Sequence, residues 1–152
     1  MSNKAFTRGI GLVFLILGVC GFVPRLVQTA TPLGDPHVMF HYGYLFGAFP
    51  VNYVLAGLFG VIGLTALMVS GRIERTRLFE RSLFTLSMVL MFCGFFPGLS
   101  TVWGVMPLFG FTCGVFLCTA MFTFYFAFVE GPLMPGVNAR VHGLPWHWHW
   151  PQ

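Results

Sequence analysis

Charge is what this chain has least of. Asp, Glu, Lys and Arg make up 8% of its 152 residues, against about 25% in a soluble domain. So little charge cannot clothe a surface facing water. The deficit is also uneven: residues 82–129, 48 in a row, carry none of the four, nor do the 36 residues from 36 to 71. A spanning helix needs roughly 20 apolar residues, so the longer gap holds two spans and a hairpin. Other absences remove whole classes of chemistry. Cys20, Cys93, Cys113 and Cys118 make no CxxC framework for a metal. His37 and His41 lack the glutamate of the HExxH hydrolases. No charged residue falls inside the expected spans, which counts against a proton-coupled pump or an ion channel.

What is present is apolar: 57% of residues are hydrophobic, 19 of them Phe, and the mean hydropathy is +0.82. The expected fold is an all-α membrane protein with four transmembrane helices over about Gly9–Val23, Gly43–Val69, Ser82–Phe96 and Pro107–Val129. Residues 1–130 form the transmembrane domain and 131–152 a Pro-, Gly-, Trp- and His-rich cytoplasmic tail. The net charge of +4 does not point to nucleic acid, because the basic residues sit at helix ends. Arg72, Arg75, Arg77 and Arg81 cluster in GRIERTRLFER, read as a loop, and Lys4 and Arg8 lie near the N-terminus. The positive-inside bias then places both termini and this central segment in the cytoplasm. Polar residues expected in the spans, Asn52, Thr65, Thr85, Ser87, Thr112, Thr119, Thr123 and Tyr125, can be satisfied by helix-to-helix or backbone hydrogen bonds.

Two helix endings are alike. CGFVPRL at 20–26 matches CGFFPGL at 93–99 at an offset of 73, and LFG recurs at 45–47 and 108–110. Proline cannot continue a helix ladder and glycine permits a tight exit. Two spans separate the copies, so the chain reads as one helical hairpin used twice in the same direction, related by an axis along the membrane normal. The pattern GLVFLILGVCGFVP, then GYLFGAFPVN and GLFGVIGL, resembles an uncharacterised bacterial and cyanobacterial family of small four-helix membrane proteins over roughly residues 9–128. The resemblance implies a fold and no activity. Members of that family carry histidines just after FPVN, where this chain has Tyr53, Val54 and Leu55, so no role for those histidines transfers.

Three groups of residues are candidate sites. In DPHVMFHYGYLFG, Asp35 and Pro36 read as a helix start that puts His37 and His41 on one face. They serve interfacial hydrogen bonding or, as the alternative, ligate a haem or a chlorophyll-type pigment; alone they are too few for a metal site. In the tail, Trp146, Trp148 and Trp150 alternate with His147 and His149, giving a headgroup anchor or a docking arm for a partner. Small residues four apart, Gly43/Gly47, Ala56/Gly60 and Gly110/Gly114, allow close helix contact within the chain or with a neighbour. LGVC at 17–20 loosely resembles a lipoprotein signal, but bulky Val19 and recurrence of the same unit at 93 keep the first helix in the mature protein.

These features favour a non-catalytic accessory subunit of a larger respiratory or photosynthetic complex in a bacterial inner, intracytoplasmic or thylakoid-type membrane. Membrane lipids are its expected partners and bound lipids its expected company. A pigment-, haem- or metal-binding protein using His37, His41 or the tail histidines is the first alternative, and a small transporter the second.

Overall fold

The computed structural model of the chain describes residues 3–29 and 42–129. His37, His41, Asp35 and the whole Trp/His tail therefore lie outside the described residues. The described part contains four α-helices: α1 (Asn3–Phe22), α2 (Tyr53–Val69), α3 (Ile73–Phe95) and α4 (Phe111–Phe124), which runs into a π-helical turn, Tyr125–Val129. The segments Asn3–Phe22, Ile73–Phe95 and Phe111–Val129 are long and apolar enough to cross a bilayer, and α2 is a shorter apolar helix. That is the make-up of a multi-pass membrane protein.

α1 packs along α2 because glycines let the backbones meet. A Cβ on Gly18 would lie 2.7 Å from the Gly60 amide nitrogen, and one on Gly63 would lie 2.5 Å from that of Leu15. Gly11 and Gly21 face Ala66 and Ala56 in the same way, with a Cβ at 2.8 Å and 2.7 Å from the alanine methyls. In lipid, where hydrophobic driving force between helices is absent, such close approach is what holds a pair together. Between α3 and α4 the tight point is Gly94, where a Cβ would strike the Leu108 carbonyl. The Cys113 thiol also reaches the Met91 carbonyl at 3.6 Å. No disulfide forms: all four cysteines are free thiols.

The expected second helix starts ten residues too early. Residues 43–51 form a hairpin, and with β1 (Val27–Thr29) the strands β2 (Gly43–Leu45) and β3 (Phe49–Val51) make an antiparallel sheet in the order β1-β2-β3. The all-α expectation is corrected accordingly. Phe46 and Gly47 turn the hairpin at φ 53° and 76°, the region that hairpin loops demand. Pro50 explains why no helix forms: its ring and missing N–H would break a helix interior, whereas the edge strand β3 tolerates them. Asn52 then caps α2, its Oδ1 accepting from the Leu55 amide at 2.9 Å. Gly43 and Gly47 thus lie in a strand and a turn, not on a helix, and their four-residue spacing makes no helix seam.

The third helix is longer than expected. GRIERTRLFER is not a loop: the chain turns at 70–72 and α3 begins at Ile73. Arg, Glu and Leu are good helix formers, and Glu74 in the first turn suits the helix dipole. The charged residues therefore do not mark where the helix ends. The fourth helix begins at Phe111 rather than Pro107, because Gly110 enters at φ 61°.

Candidate functional site

Extending α3 backwards brings Glu80 into the bundle. Its buried face reads Thr76, Glu80, Leu83, Ser87, Met91, an unbroken helical stripe. Glu80 is 1% exposed. Its Oε1 accepts from the Thr7 hydroxyl at 2.8 Å and its Oε2 from Asn3 Nδ2 at 3.4 Å. Asn3 Nδ2 also donates to the Phe126 carbonyl at 3.0 Å, a carbonyl of the π turn, where the helical ladder is irregular. Phe6 stacks on Phe126 with ring centroids 4.0 Å apart. The Glu80 carboxyl thus ties α3 to α1, and the Asn3 amide ties α1 to the end of α4. Beside it Arg8 Nε donates to Ser70 Oγ at 3.3 Å, and the Arg81 guanidinium lies 5.4 Å over the Phe128 ring. The expectation that no charged residue is buried in the helices is overturned here.

Beyond this node the interior closes. Phe14, seven residues past Thr7 on α1 and so about 10 Å further along it, meets Phe59 edge-on at 5.3 Å. Phe59 also touches Phe49 at 5.9 Å and Phe116 at 5.8 Å, and Phe14, Phe59 and Phe116 are essentially fully buried. Rings from three helices and the hairpin fill the middle of the bundle. On the far side a second polar group appears. Asn52 Nδ2 donates to the Val105 carbonyl at 2.7 Å and the Thr112 hydroxyl to the Pro50 carbonyl at 3.0 Å, tying the hairpin and α2 to the segment entering α4. Next to Asn52 lies a cavity of about 250 Å³ lined by Gly21, Pro24, Val27, Tyr42, Gly43, Val51, Asn52 and Tyr53. It falls just below the ~300–1,000 Å³ typical of small-molecule sites.

Most of the span hydroxyls are satisfied as expected. Thr65, Thr85 and Thr123 donate to the carbonyls of Val61, Arg81 and Thr119. Ser87 is different, since its fully buried hydroxyl has no hydrogen-bond partner among the described residues. Of the expected small-residue pairs, Ala56 sits in the α1–α2 seam against Gly21, while a Cβ at Gly110 or Gly114 would meet nothing within 4 Å. Gly11, Gly18 and Gly63, which bring helices together, lie outside those pairs, and Gly21, expected as a helix exit, packs against Ala56 instead. Four glycines in the first helix, Gly9, Gly11, Gly18 and Gly21, are the available signal. Likewise Glu80 could have been found by running the Met91–Ser87–Leu83 stripe back one more turn. Among the described residues no three His, Cys, Asp or Glu side chains gather as a metal site.

A family model described as a domain of unknown function, DUF4383, matches residues 4–129, and the chain belongs to that family. No curated protein and no solved structure matches it.

Proposed function

We propose that this DUF4383 chain is a non-catalytic subunit of a larger membrane assembly, built as two alike hairpins inserted in one direction with both termini cytoplasmic. The repeat draws support from equivalent roles in its two copies. Gly21 and Gly94 both press on the second helix of their hairpin or the segment leading into it. Leu45 and Leu108 of the two LFG units are both buried, and Gly47 and Gly110 both take positive φ. The observation that carries the subunit reading is the bare face of α4. Gly110 and Gly114 have open space where a Cβ would go, and Phe111, Leu117 and Met121 beside them are exposed at 67%, 40% and 66%. Small residues flanked by large apolar ones suit a neighbouring helix. A bacterial inner membrane, or an intracytoplasmic or thylakoid-type one, is the proposed home, with a respiratory or photosynthetic complex as host.

Gentle solubilisation of native membranes tests this. The chain should migrate in a larger particle, and Gly114→Leu should release it while leaving its helicity intact. Migration alone at 16.9 kDa plus detergent refutes the reading. A second reading, a small transporter, is favoured by Glu80 and its partners from α1. It requires substrate flux in reconstituted vesicles that Glu80→Gln abolishes, and the aromatic barrier beyond Glu80 weighs against it. The histidine-ligated pigment or haem rests on residues outside the described part, and a colourless purified protein disposes of it.

A further inference from the structure

The molecule is electrically lopsided, and the lopsidedness is a built surface. The turn after α2 and the first turns of α3 carry Arg72, Arg75, Arg77 and Arg81 within ten residues; Arg72 and Arg75 are exposed, Arg77 and Arg81 half-buried. α1 adds exposed Arg8, held to this end by its bond to Ser70 Oγ, and half-buried Lys4. Of the two acids in this region, Glu80 is withdrawn into the bundle, leaving Glu74 as the one exposed carboxylate against six cations. Elsewhere in the described residues the only Lys or Arg is Arg25.

Three local features show what such an end would meet. Ile73 and Leu78, interleaved with the arginines, are 52% and 68% exposed, which suits the boundary where acyl chains give way to headgroups. The N-cap residue of α3, Arg72, makes no side-chain cap bond, so the first amides of the helix remain open to an anion. Arg77 is half-buried with its Nε shielded from solvent, so its contact with a headgroup falls to the outer guanidinium nitrogens. Guanidinium groups pair with phosphate oxygens through two parallel hydrogen bonds. The cations do not converge on one point: on a helix, Arg75 and Arg77 point well apart.

We infer that this end is a binding surface for anionic phospholipid, engaging several headgroup phosphates at once and discriminating against zwitterionic lipid. Arg72, Arg75 and Arg77 supply the phosphate contacts, and Ile73 and Leu78 seat the surface at the acyl boundary. The inference is independent of the subunit reading, since it concerns the lipid beneath this end and not the α4 face.

The test uses the full chain in detergent, offered equal phosphatidylglycerol and phosphatidylcholine, with retained lipid read by native mass spectrometry. Each basic residue near an anionic surface contributes on the order of a several-fold preference, so the wild type should retain phosphatidylglycerol about ten-fold or more over phosphatidylcholine. The R72Q/R75Q/R77Q variant should fall close to parity, while R72K/R75K/R77K keeps most of the preference. Equal retention of both lipids by the wild type overturns the inference, as does a preference that survives the Gln substitutions. Inorganic phosphate is the third arm. If millimolar phosphate displaces phosphatidylglycerol completely, the surface is a free-phosphate site and the lipid assignment fails. Should the Gln variant lose its helicity, the wild type decides in high salt: the preference must collapse as charges are screened, and a salt-independent preference refutes it.

Discussion

Gly18→Ala is the smallest change that tests what holds α1 to α2. The new methyl would sit 2.7 Å from the Gly60 amide nitrogen, 2.9 Å from the Ala56 carbonyl oxygen and 3.0 Å from the Gly60 Cα. All three are backbone atoms, so no side chain can swing aside. Ordinary contact begins near 3.4 Å, and the helices must part by about 0.7 Å to accept it. A gap of that size forfeits a quarter to a half of each dispersion well along the seam, and overpacking of this kind costs about 1–3 kcal/mol. Against this, Ala is worth about 1 kcal/mol more than Gly inside a helix, so the net expectation is a loss of up to about 2 kcal/mol. Gly57→Ala and Gly60→Ala are the controls, because a Cβ at either position meets nothing within 4 Å; they should gain up to about 1 kcal/mol. Unfolding of the three variants in mixed micelles by a denaturing detergent, followed by helical circular dichroism, gives the comparison. If Gly18→Ala is as stable as Gly57→Ala, close backbone approach is not what joins these helices.

Three further expectations follow from the bonds described. Glu80→Ala and Thr7→Val, alone and together, should give a coupling between the average of about 0.6 and the maximum of about 1.7 kcal/mol for hydrogen bonds between helices in lipid; additive effects would mean the 2.8 Å bond is energetically idle. Asn52→Ala loses both the cap on α2 and the donation to the Val105 carbonyl, a cost of about 1–2 kcal/mol in thermal unfolding. Asn52→Asp, which keeps only the cap, should fall between it and the wild type. In a cysteine-free background, single cysteines at exposed Gly71 and exposed Trp103 should react with a membrane-impermeant maleimide from opposite sides; labelling from one side contradicts the arrangement of α3 as a span between them.

The membrane class and the four helices were legible because hydropathy acts over whole windows. So were the stops at Pro24 and Pro97, which do not depend on the rest of the chain. The sheet was not. Its strands are three residues each, too short for an alternating pattern to register, although Gly47, Pro50 and Asn52 together spell a turn, a helix breaker and a cap. Reading the end of the uncharged run as the end of the helix hid the first nine residues of α3, and with them Glu80. Its partners could not be read at all: Thr7 and Asn3 are 73 and 77 residues away, and only the side-by-side packing of α1 and α3 brings them within bonding distance. The offset between the two Cys-Gly-Phe units is also 73, so Thr7 and Glu80 are at matching positions of the proposed repeat.

That correspondence bears on what Glu80 is for. A buried carboxyl in a membrane bundle is costly, and by default it signals a path for ions or protons. A path, however, needs polar groups continuing across the bilayer. Here the hydrogen-bonded groups do not form such a chain: past Thr7 and Glu80 come the Phe14, Phe59 and Phe116 rings, and of the buried hydroxyls beyond the node Ser87 has no partner among the described residues and Thr123 bonds only within its own helix. The bonds that Glu80 makes instead link α3 to Thr7 and Asn3 on α1, and Asn3 in turn donates to the Phe126 carbonyl at the end of α4. Two hairpins that pack tightly within themselves but more thinly on each other need something to fix their register, and a single polar node is a well-attested way of doing so. On the subunit reading proposed above, Glu80 serves as a pin between α1 and α3 rather than as a relay, and the outward faces carry the contacts.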